Sequence, residues 1–191
     1  MSSDVIIGQD GRRRCAWAGA DDTAFRRYHD EVWGVRTDDE SAIFEALTLG
    51  VFEVGLSWSI VFRKRDAFRK AFHGFRVAKV AAMTERDVDR LVANPSIIRN
   101  RGKIQATIDN ARAMMRASPS LLELAKSHEI SRRRAPRAIA DLPASTPDSG
   151  AFAKELKSQG YGFVGPTSVY AFMQNVGIVN DHLHGCFRAT D

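Results

Sequence analysis

Two cysteines and two histidines stand near opposite ends of the chain. Cys15 and His29 lie near the N-terminus, whereas His182 and Cys186 lie near the C-terminus, four positions apart. Two thiolates and two imidazoles form the closed tetrahedral ligand set of a structural zinc site. The spacing leaves two interpretations open: a zinc site that joins the chain ends, or two buried thiols beside unrelated histidines. His184 is an alternative ligand to His182, although it lies very close to Cys186 along the chain.

A glycine-rich turn runs from Gly160 to Thr167. Proline is favoured at the first position of a helix, so a helix is predicted to begin at Pro166, and Gly177 is a natural stop. The free N–H groups and the positive dipole end of such a helix favour a phosphate. The turn therefore indicates either an anion site or a plain connection between two packed helices.

The segments that must position these residues are predicted to be helical. Apolar spacing and capping residues indicate helices along the whole chain, and no stretch shows convincing strand alternation. We therefore predict an all-α fold. The predicted helices run from Asp21 or Asp22 to Glu31, from Asp38 or Asp39 through Val51, from Ser57 through Phe62, from Glu85 to Ala93, from Arg101 to Ala117, from Ser118-Pro119 over a short stretch, from Thr146-Pro147 to Gly160, and from Pro166 to Val176.

The chain length suits one domain. Residues 1–14 are predicted to form a flexible basic leader that ends in three arginines, and residues 15–191 a single domain of two closely packed helical lobes. A second basic stretch, Arg132-Arg133-Arg134 before Pro136, predicts an irregular connection.

Charge and composition narrow the class of protein. The net charge of +5 and the pI of about 9.5 suit a polyanionic partner. We find no apolar run long enough to span a membrane and no secretion signal at the N-terminus. Two distant cysteines give no disulfide framework, so we expect a cytoplasmic protein, and a monomer by default.

Several unusual strings follow one another along the chain. They are Cys15-Ala-Trp17, Tyr28-His29-Asp30, Trp33-Gly34, Gly55-Leu56-Ser57-Trp58, Ile97 to Ile104, Asn110-Ala111-Arg112, Phe163-Val164-Gly165, and Phe172 to His182. In this order, from about Cys15 to Cys186, the strings resemble bacterial 3-methyladenine DNA glycosylase I. The resemblance implies a helix–hairpin–helix DNA glycosylase fold in which a structural zinc joins the N- and C-terminal segments. By matching positions, the zinc ligands would be Cys15, His29, His182 and Cys186.

The resemblance also implies how DNA is held. Leu56, after Gly55, matches an apolar wedge that enters the base stack, although its own pattern is that of a core residue. Basic residues near Arg99 would add affinity by counterion release, or would each be a solvated surface charge. The hairpin, which is the part of the glycine-rich turn from Gly162 to Thr167, would hold a DNA phosphate through its backbone amides without reading the base sequence. The implied DNA contacts are Gly55, Leu56, Gly162, Val164, Gly165, Thr167, Arg101 and Lys103.

The implied substrate explains an aromatic pocket. The base must leave the duplex before its glycosidic bond is reachable. Methylation at N3 makes adenine cationic and a good leaving group, and aromatic faces attract a cation. The matching aromatic positions are Tyr28 and Trp58, with Phe25 and Trp33 beside them, and Phe52 adds another; from spacing alone, each would be core.

The chain departs from the family at one position. The family's base-contacting glutamate falls on Gly50. Glu53, one helical turn further on, is our candidate catalytic carboxylate, although it is equally typical of an exposed helix residue. Either Glu53 restores the carboxylate, or the pocket accepts another modified base.

The leading prediction is a monofunctional DNA glycosylase that hydrolyses the N-glycosidic bond of an alkylated base, most simply 3-methyladenine, in double-stranded DNA and releases the free base without lyase activity. One alternative is a glycosylase-like DNA- or lesion-binding protein with altered base choice or no catalysis, because Gly50 replaces the glutamate. Another is a small zinc protein that acts in protein contacts. Asp181 is expected to cap a helix or to support His182.

Overall fold

The computed structural model describes residues 4–19, 23–130 and 134–190. Within these ranges the chain is mostly helical, and none of the described helices is long and apolar enough to cross a membrane. The helices are α1 Ala24–Glu31, α2 Glu40–Glu53, α3 Trp58–Phe62, α4 Arg65–Ala71, α5 Val77–Ala81, α6 Glu85–Val92, α7 Arg101–Arg116, α8 Leu121–Ser127, α9 Pro147–Ser158 and α10 Pro166–Asn175.

Local capping chemistry sets several helix starts where the sequence predicts them. Asp39 is the N-cap of α2 and accepts a hydrogen bond from the Ser41 amide at 2.9 Å. Thr84 and Asp87 form the capping box of α6, and Pro166 occupies the first turn of α10. The predicted start of α1 at Asp21 or Asp22, and the predicted connection at Arg132-Arg133, lie outside the described residues.

The N-terminal segment differs from the prediction. Strands β1 Val5–Ile7 and β2 Arg13–Cys15 pair antiparallel, with Ile6 opposite Arg14. The predicted flexible leader is therefore wrong for the described residues 4–14, and the fold is mostly helical rather than all-α. The cause is visible at Arg14, which is 1% exposed because its guanidinium binds Asp10 at 2.7 Å and Asp30 at 2.8 Å. Residues 1–3 lie outside the described part.

Helix α2 lies between two apolar clusters. Its residues Ile43 and Leu47 pack with α8, α9 and α10, whereas Phe44 and Phe52 pack with α4 to α7. The division of residues 15–191 into two lobes stays a prediction, but the two clusters show how α2 is held on opposite sides. This packing fixes the C-terminal end of α2 beside the N-terminal end of α10.

The two ends of the described chain meet. The amide of Phe187 donates to the carbonyl oxygen of Arg13 at 2.9 Å, which ties the C-terminal segment to β2. A small apolar cluster that contains Cys15, Leu183 and Cys186 lies at this junction. The residues that the sequence analysis selected at opposite chain ends are therefore brought together.

Candidate functional site

The four predicted metal ligands form one buried cluster. The ligand atoms of Cys15, His29, His182 and Cys186 all lie within 4.8 Å of one another. Sγ of Cys186 lies 3.5 Å from His29 Nε2 and 3.6 Å from His182 Nδ1. Tetrahedral zinc with nitrogen and sulfur ligands has ligand–ligand separations of about 3.3–3.8 Å. The two Cys186 distances lie in this range, whereas Cys15 Sγ lies 3.9 Å from His182 Nδ1, so binding of an ion would draw the four atoms slightly closer together. His184 is exposed and is not part of the set.

Both histidines are oriented through their second ring nitrogen. His29 Nδ1 lies 2.8 Å from Asp30 Oδ1, and His182 Nε2 lies 3.0 Å from the carbonyl oxygen of Trp33. A carbonyl oxygen only accepts hydrogen bonds, so Nε2 of His182 carries the proton and Nδ1 presents its lone pair to the thiols. A carboxylate or carbonyl behind each imidazole is the usual support of a metal-ligating histidine.

The pKa values of the two thiols are shifted in opposite directions. The hydrogen bond from Cys15, followed by those from the two imidazoles, lowers the pKa of Cys186. The same pair interaction, together with burial, raises the pKa of Cys15. One member of the pair is thus already favoured as a thiolate, which is the form that binds a metal.

The predicted phosphate-binding hairpin links α9 to α10, but two of its amides are already occupied. The Gly162 amide donates to Asn110 Oδ1 at 2.7 Å, and the Gly165 amide donates to Ser168 Oγ at 2.9 Å. The DNA contacts at Gly162 and Gly165 therefore stay a prediction, and the amides of both residues are satisfied within the protein. Within the described residues, no acceptor is found for the amide of Thr167, an exposed residue in the first turn of α10, so this amide remains available.

The two basic residues predicted to contact DNA, Lys103 and Arg101, bind other groups of the protein in this structure. Lys103 is only 6% exposed, and its ammonium donates to the carbonyl oxygens of Phe52, at 3.0 Å, and Val54. It therefore caps the end of α2, and its DNA contact stays a prediction. Arg101 forms ion pairs with Glu85 and Asp89.

Sequence reasoning missed a basic residue beside the hairpin. Lys157 is exposed and lines a shallow groove together with Phe163 and Thr167. The signal was available, because a lysine in the last helical turn before a glycine turn is carried to the same end as the hairpin.

Four aromatic rings pack together beside the Cys/His cluster. The ring of Tyr28 lies 5.4 Å from that of Trp58 and 4.9 Å from that of Phe62, and Phe25 lies 4.5 Å from Phe62. Phe62 was not among the predicted residues. Trp33 joins this group and also lies 4.6 Å from the His182 ring.

A polar pair fixes the central ring of this group. The Tyr28 hydroxyl donates to Asn175 Oδ1 at 2.5 Å, and burial raises the pKa of Tyr28, so the hydroxyl keeps its proton. Asn175 was also missed. No motif identified it, because its role depends on α10 crossing α1.

Phe52 does not belong to the aromatic group. It is fully buried and packs 4.4 Å from Phe68 in the core beneath α2. The prediction of a base contact is wrong, because two positions along a helix turn the side chain by about 200°, away from the side of Gly50.

A cleft of about 320 Å³ opens between the end of α2 and the start of α10. Leu56 stands at this cleft, 40% exposed, and follows Gly55, whose φ of +77° is a conformation that glycine adopts without strain. An exposed leucine directly after this glycine turn fits the predicted wedge better than a core residue. The cleft is lined by Gly50, Glu53, Val54, Gly55, Leu56, Thr167, Ser168 and Ala171.

Asp181 lies behind α10, away from this cleft's lining. It is buried, and its Oδ2 accepts hydrogen bonds from the Tyr170 hydroxyl at 2.6 Å and from Gln174 Nε2 at 2.8 Å. These two contacts tie the segment before His182 to α10.

The described residues combine a helical fold, the α9–hairpin–α10 unit and a buried Cys/His cluster. The family model described as methyladenine glycosylase matches residues 17–189, and the chain belongs to this family.

Two similar proteins carry the same description. DNA-3-methyladenine glycosylase 1 of Escherichia coli is 43% identical over 91% of this chain and 95% of its own length. The crystal structure of a 3-methyladenine DNA glycosylase I has a TM-score of 0.84 and 43% identity, and covers 91% of this chain and 98% of that chain.

A second similar structure contains a ligand. It is a variant of 3-methyladenine DNA glycosylase I in complex with 3-methyladenine, with a TM-score of 0.83 and 29% identity over 92% of this chain and 97% of that chain. These relatives are enzymes by name, so the comparisons do not favour a binding-only protein or a protein-contact module.

Proposed function

We propose that the protein is a monofunctional DNA glycosylase that hydrolyses the N-glycosidic bond of 3-methyladenine in double-stranded DNA and releases the free base. The observation that carries the proposal is the cleft between α2 and α10, because the exposed Leu56 and the start of α10 line the same opening. A wedge and a phosphate site on one cleft are what an enzyme needs to extrude a nucleotide.

The start of α10 would hold the DNA backbone. The amide of Thr167 and the positive end of the helix dipole would bind one phosphate, and Lys157 would add a charge at the same groove. These contacts read no bases, as expected of a protein that searches for damage. Leu56 would then fill the space in the stack that the flipped nucleotide leaves.

The aromatic group would receive the flipped base. The faces of Tyr28 and Trp58 attract the positive charge of 3-methyladenine, which is lost when the bond from the sugar to the base nitrogen breaks. Water adds to the sugar carbon and loses one proton to the solvent, and the products are an abasic site and the neutral free base. Because the substrate is already a good leaving group, we expect recognition rather than strong acid catalysis to determine the rate.

The Cys/His cluster would hold one structural zinc ion. Two thiolates and two imidazoles leave no open coordination position for a substrate, so the ion would supply a cross-link between the chain ends and no reaction step. The supporting observation is the second-nitrogen partner of each histidine, Asp30 for His29 and the Trp33 carbonyl for His182. We expect the enzyme to act as a monomer in the cytoplasm, where bacterial DNA lies.

The test is release of free bases from methylated duplex DNA, resolved by chromatography. We expect release of 3-methyladenine and intact, uncleaved strands at the abasic product. Binding of the DNA with no base released would contradict the proposal and would revive the binding-only alternative.

A further inference from the structure

Glu53, the last residue of α2, is a half-buried carboxylate that faces the cleft. Burial raises its pKa, and within the described residues it has no hydrogen-bond or ion-pair partner. A carboxylate that is partly removed from water without a partner is costly, so it suits a site in which a ligand supplies the partner.

The nearby cations are committed elsewhere. Arg65 binds Glu45 at 2.6 Å and lies 5.1 Å over the ring of Tyr28, while Lys103 donates to the carbonyls at the end of α2. Neither neutralises Glu53. Its charge also bears on the aromatic group, because it contributes to the raised pKa of Tyr28.

The close approach of α2 and α10 explains why the carboxylate is not one turn earlier. A Cβ atom at Gly50 would lie 3.3 Å from the carbonyl oxygen of Ser168, tighter than an ordinary contact. The cleft is therefore walled by backbone at Gly50, and a side chain there would push α10 away. Glu53 is displaced by one turn and about 60° around the same helix, where the cleft is open.

We infer that Glu53 is the residue that selects the base, and that its carboxylate accepts a hydrogen bond from the exocyclic amine of a flipped, cationic purine. Gly50 serves this arrangement by letting α10 approach α2. The inference rests on the proposed function. It predicts a preference for a charged methylated base over the neutral parent base, because a carboxylate pairs best with a cation that also donates.

The experiment compares wild type with Glu53→Gln and, as a matched control, Glu40→Gln, which changes an exposed glutamate at the opposite end of α2. Three quantities are measured: affinity for free 3-methyladenine by tryptophan fluorescence, single-turnover base release, and affinity for undamaged duplex. We expect Glu53→Gln to weaken free-base binding and to slow release by about tenfold or more, because a hydrogen bond to a charged group is lost. Duplex affinity should not change, and Glu40→Gln should match wild type in all three.

The outcomes separate this inference from the proposed function. If wild type and Glu53→Gln bind and release 3-methyladenine equally well, the role of Glu53 is overturned while the glycosylase proposal stands. If wild type releases no base, the proposed function fails, and free-base binding alone decides: loss in Glu53→Gln upholds the role of Glu53, and no binding by wild type overturns it. Thermal unfolding identifies a misfolded variant, in which case Glu53→Asp, which keeps the charge and shortens the reach, should show a smaller loss.

Discussion

Leu56 is an exposed apolar residue that lines the cleft between α2 and α10. It is 40% exposed at the cleft, and so contributes little to the core. We expect Leu56→Ala to change the free energy of unfolding by less than about 0.5 kcal/mol. Single-turnover release of 3-methyladenine from duplex DNA should nevertheless fall by about tenfold or more, because the gap in the stack is left unfilled.

Ile60 provides the control for this prediction. It is 44% exposed on the next helix but does not line the cleft, so Ile60→Ala should retain wild-type release. Equal losses in the two variants would argue against a wedge at Leu56.

The Tyr28–Asn175 pair is a second residue-scale test. Both side chains are buried, and each is the other's partner. Asn175→Ala would leave the Tyr28 hydroxyl without an acceptor, so we expect a loss of about 1–3 kcal/mol in urea unfolding. Tyr28→Phe combined with Asn175→Ala should cost less than the sum of the single changes, and strict additivity would contradict a coupled pair.

Resemblance identified side chains well when their role follows from residue type. Cys15, His29, His182 and Cys186 do come together, because the chain ends meet. It did not anticipate that the Lys103 ammonium caps the end of α2, a contact that no local pattern encodes. Nor did it anticipate that the Gly162 amide donates to Asn110 on a distant helix.

At the scale of elements, α6 offers a pH test of its capping box. The Asp87 carboxylate accepts hydrogen bonds from the Thr84 amide at 2.9 Å and the Thr84 hydroxyl at 3.0 Å, and it binds Arg90 at 2.7 Å. The Thr84 amide bond, then Arg90, lowers the pKa of Asp87 to about 2. Because the pKa is lower in the folded state, this stabilisation is present above about pH 4 and is lost as the pH falls towards 2.

We therefore expect Asp87→Asn to lower the free energy of unfolding at pH 6 by less than about 1 kcal/mol, since the group is exposed and screened. The difference from wild type should narrow as urea unfolding is repeated from pH 6 down to pH 3. A difference that stays constant over this range would show that the charge of Asp87 is not the cause.

The positions of the helices were more predictable than the N-terminal strand pair, β1 and β2. Asp39, Thr84 and Pro166 carry their own start signals, so α2, α6 and α10 begin where the sequence indicates. Strands β1 and β2 have only three residues each, too few for alternation to show. They are held by the buried Arg14 and its carboxylates, which are tertiary contacts.

For the whole molecule, the zinc content of the purified protein tests the proposed metal site. We expect about one zinc ion per folded chain in wild type, and well below one in His182→Ala. His184→Ala is the matched control, because His184 lies two positions away and outside the cluster. Elemental analysis of the purified proteins gives the answer, and a folded wild type with little zinc would contradict the proposed site.

Removal of the metal should also weaken the whole fold. The ligands come from both chain ends, and a clip that closes a long loop restricts the unfolded chain strongly. We expect a chelator to lower the unfolding temperature of wild type and His184→Ala, and to leave that of His182→Ala nearly unchanged.

The hydrogen bond between Phe187 and Arg13 makes the path of the chain almost a closed circle. When the two ends of a chain lie close together, the ends can be moved to another position along the chain without a change in the fold. A short linker across the junction, with new ends opened in an exposed surface loop, would keep the same packing under a different order of segments. The cleft between α2 and α10 would then be kept in the permuted chain, because neither helix lies at the junction.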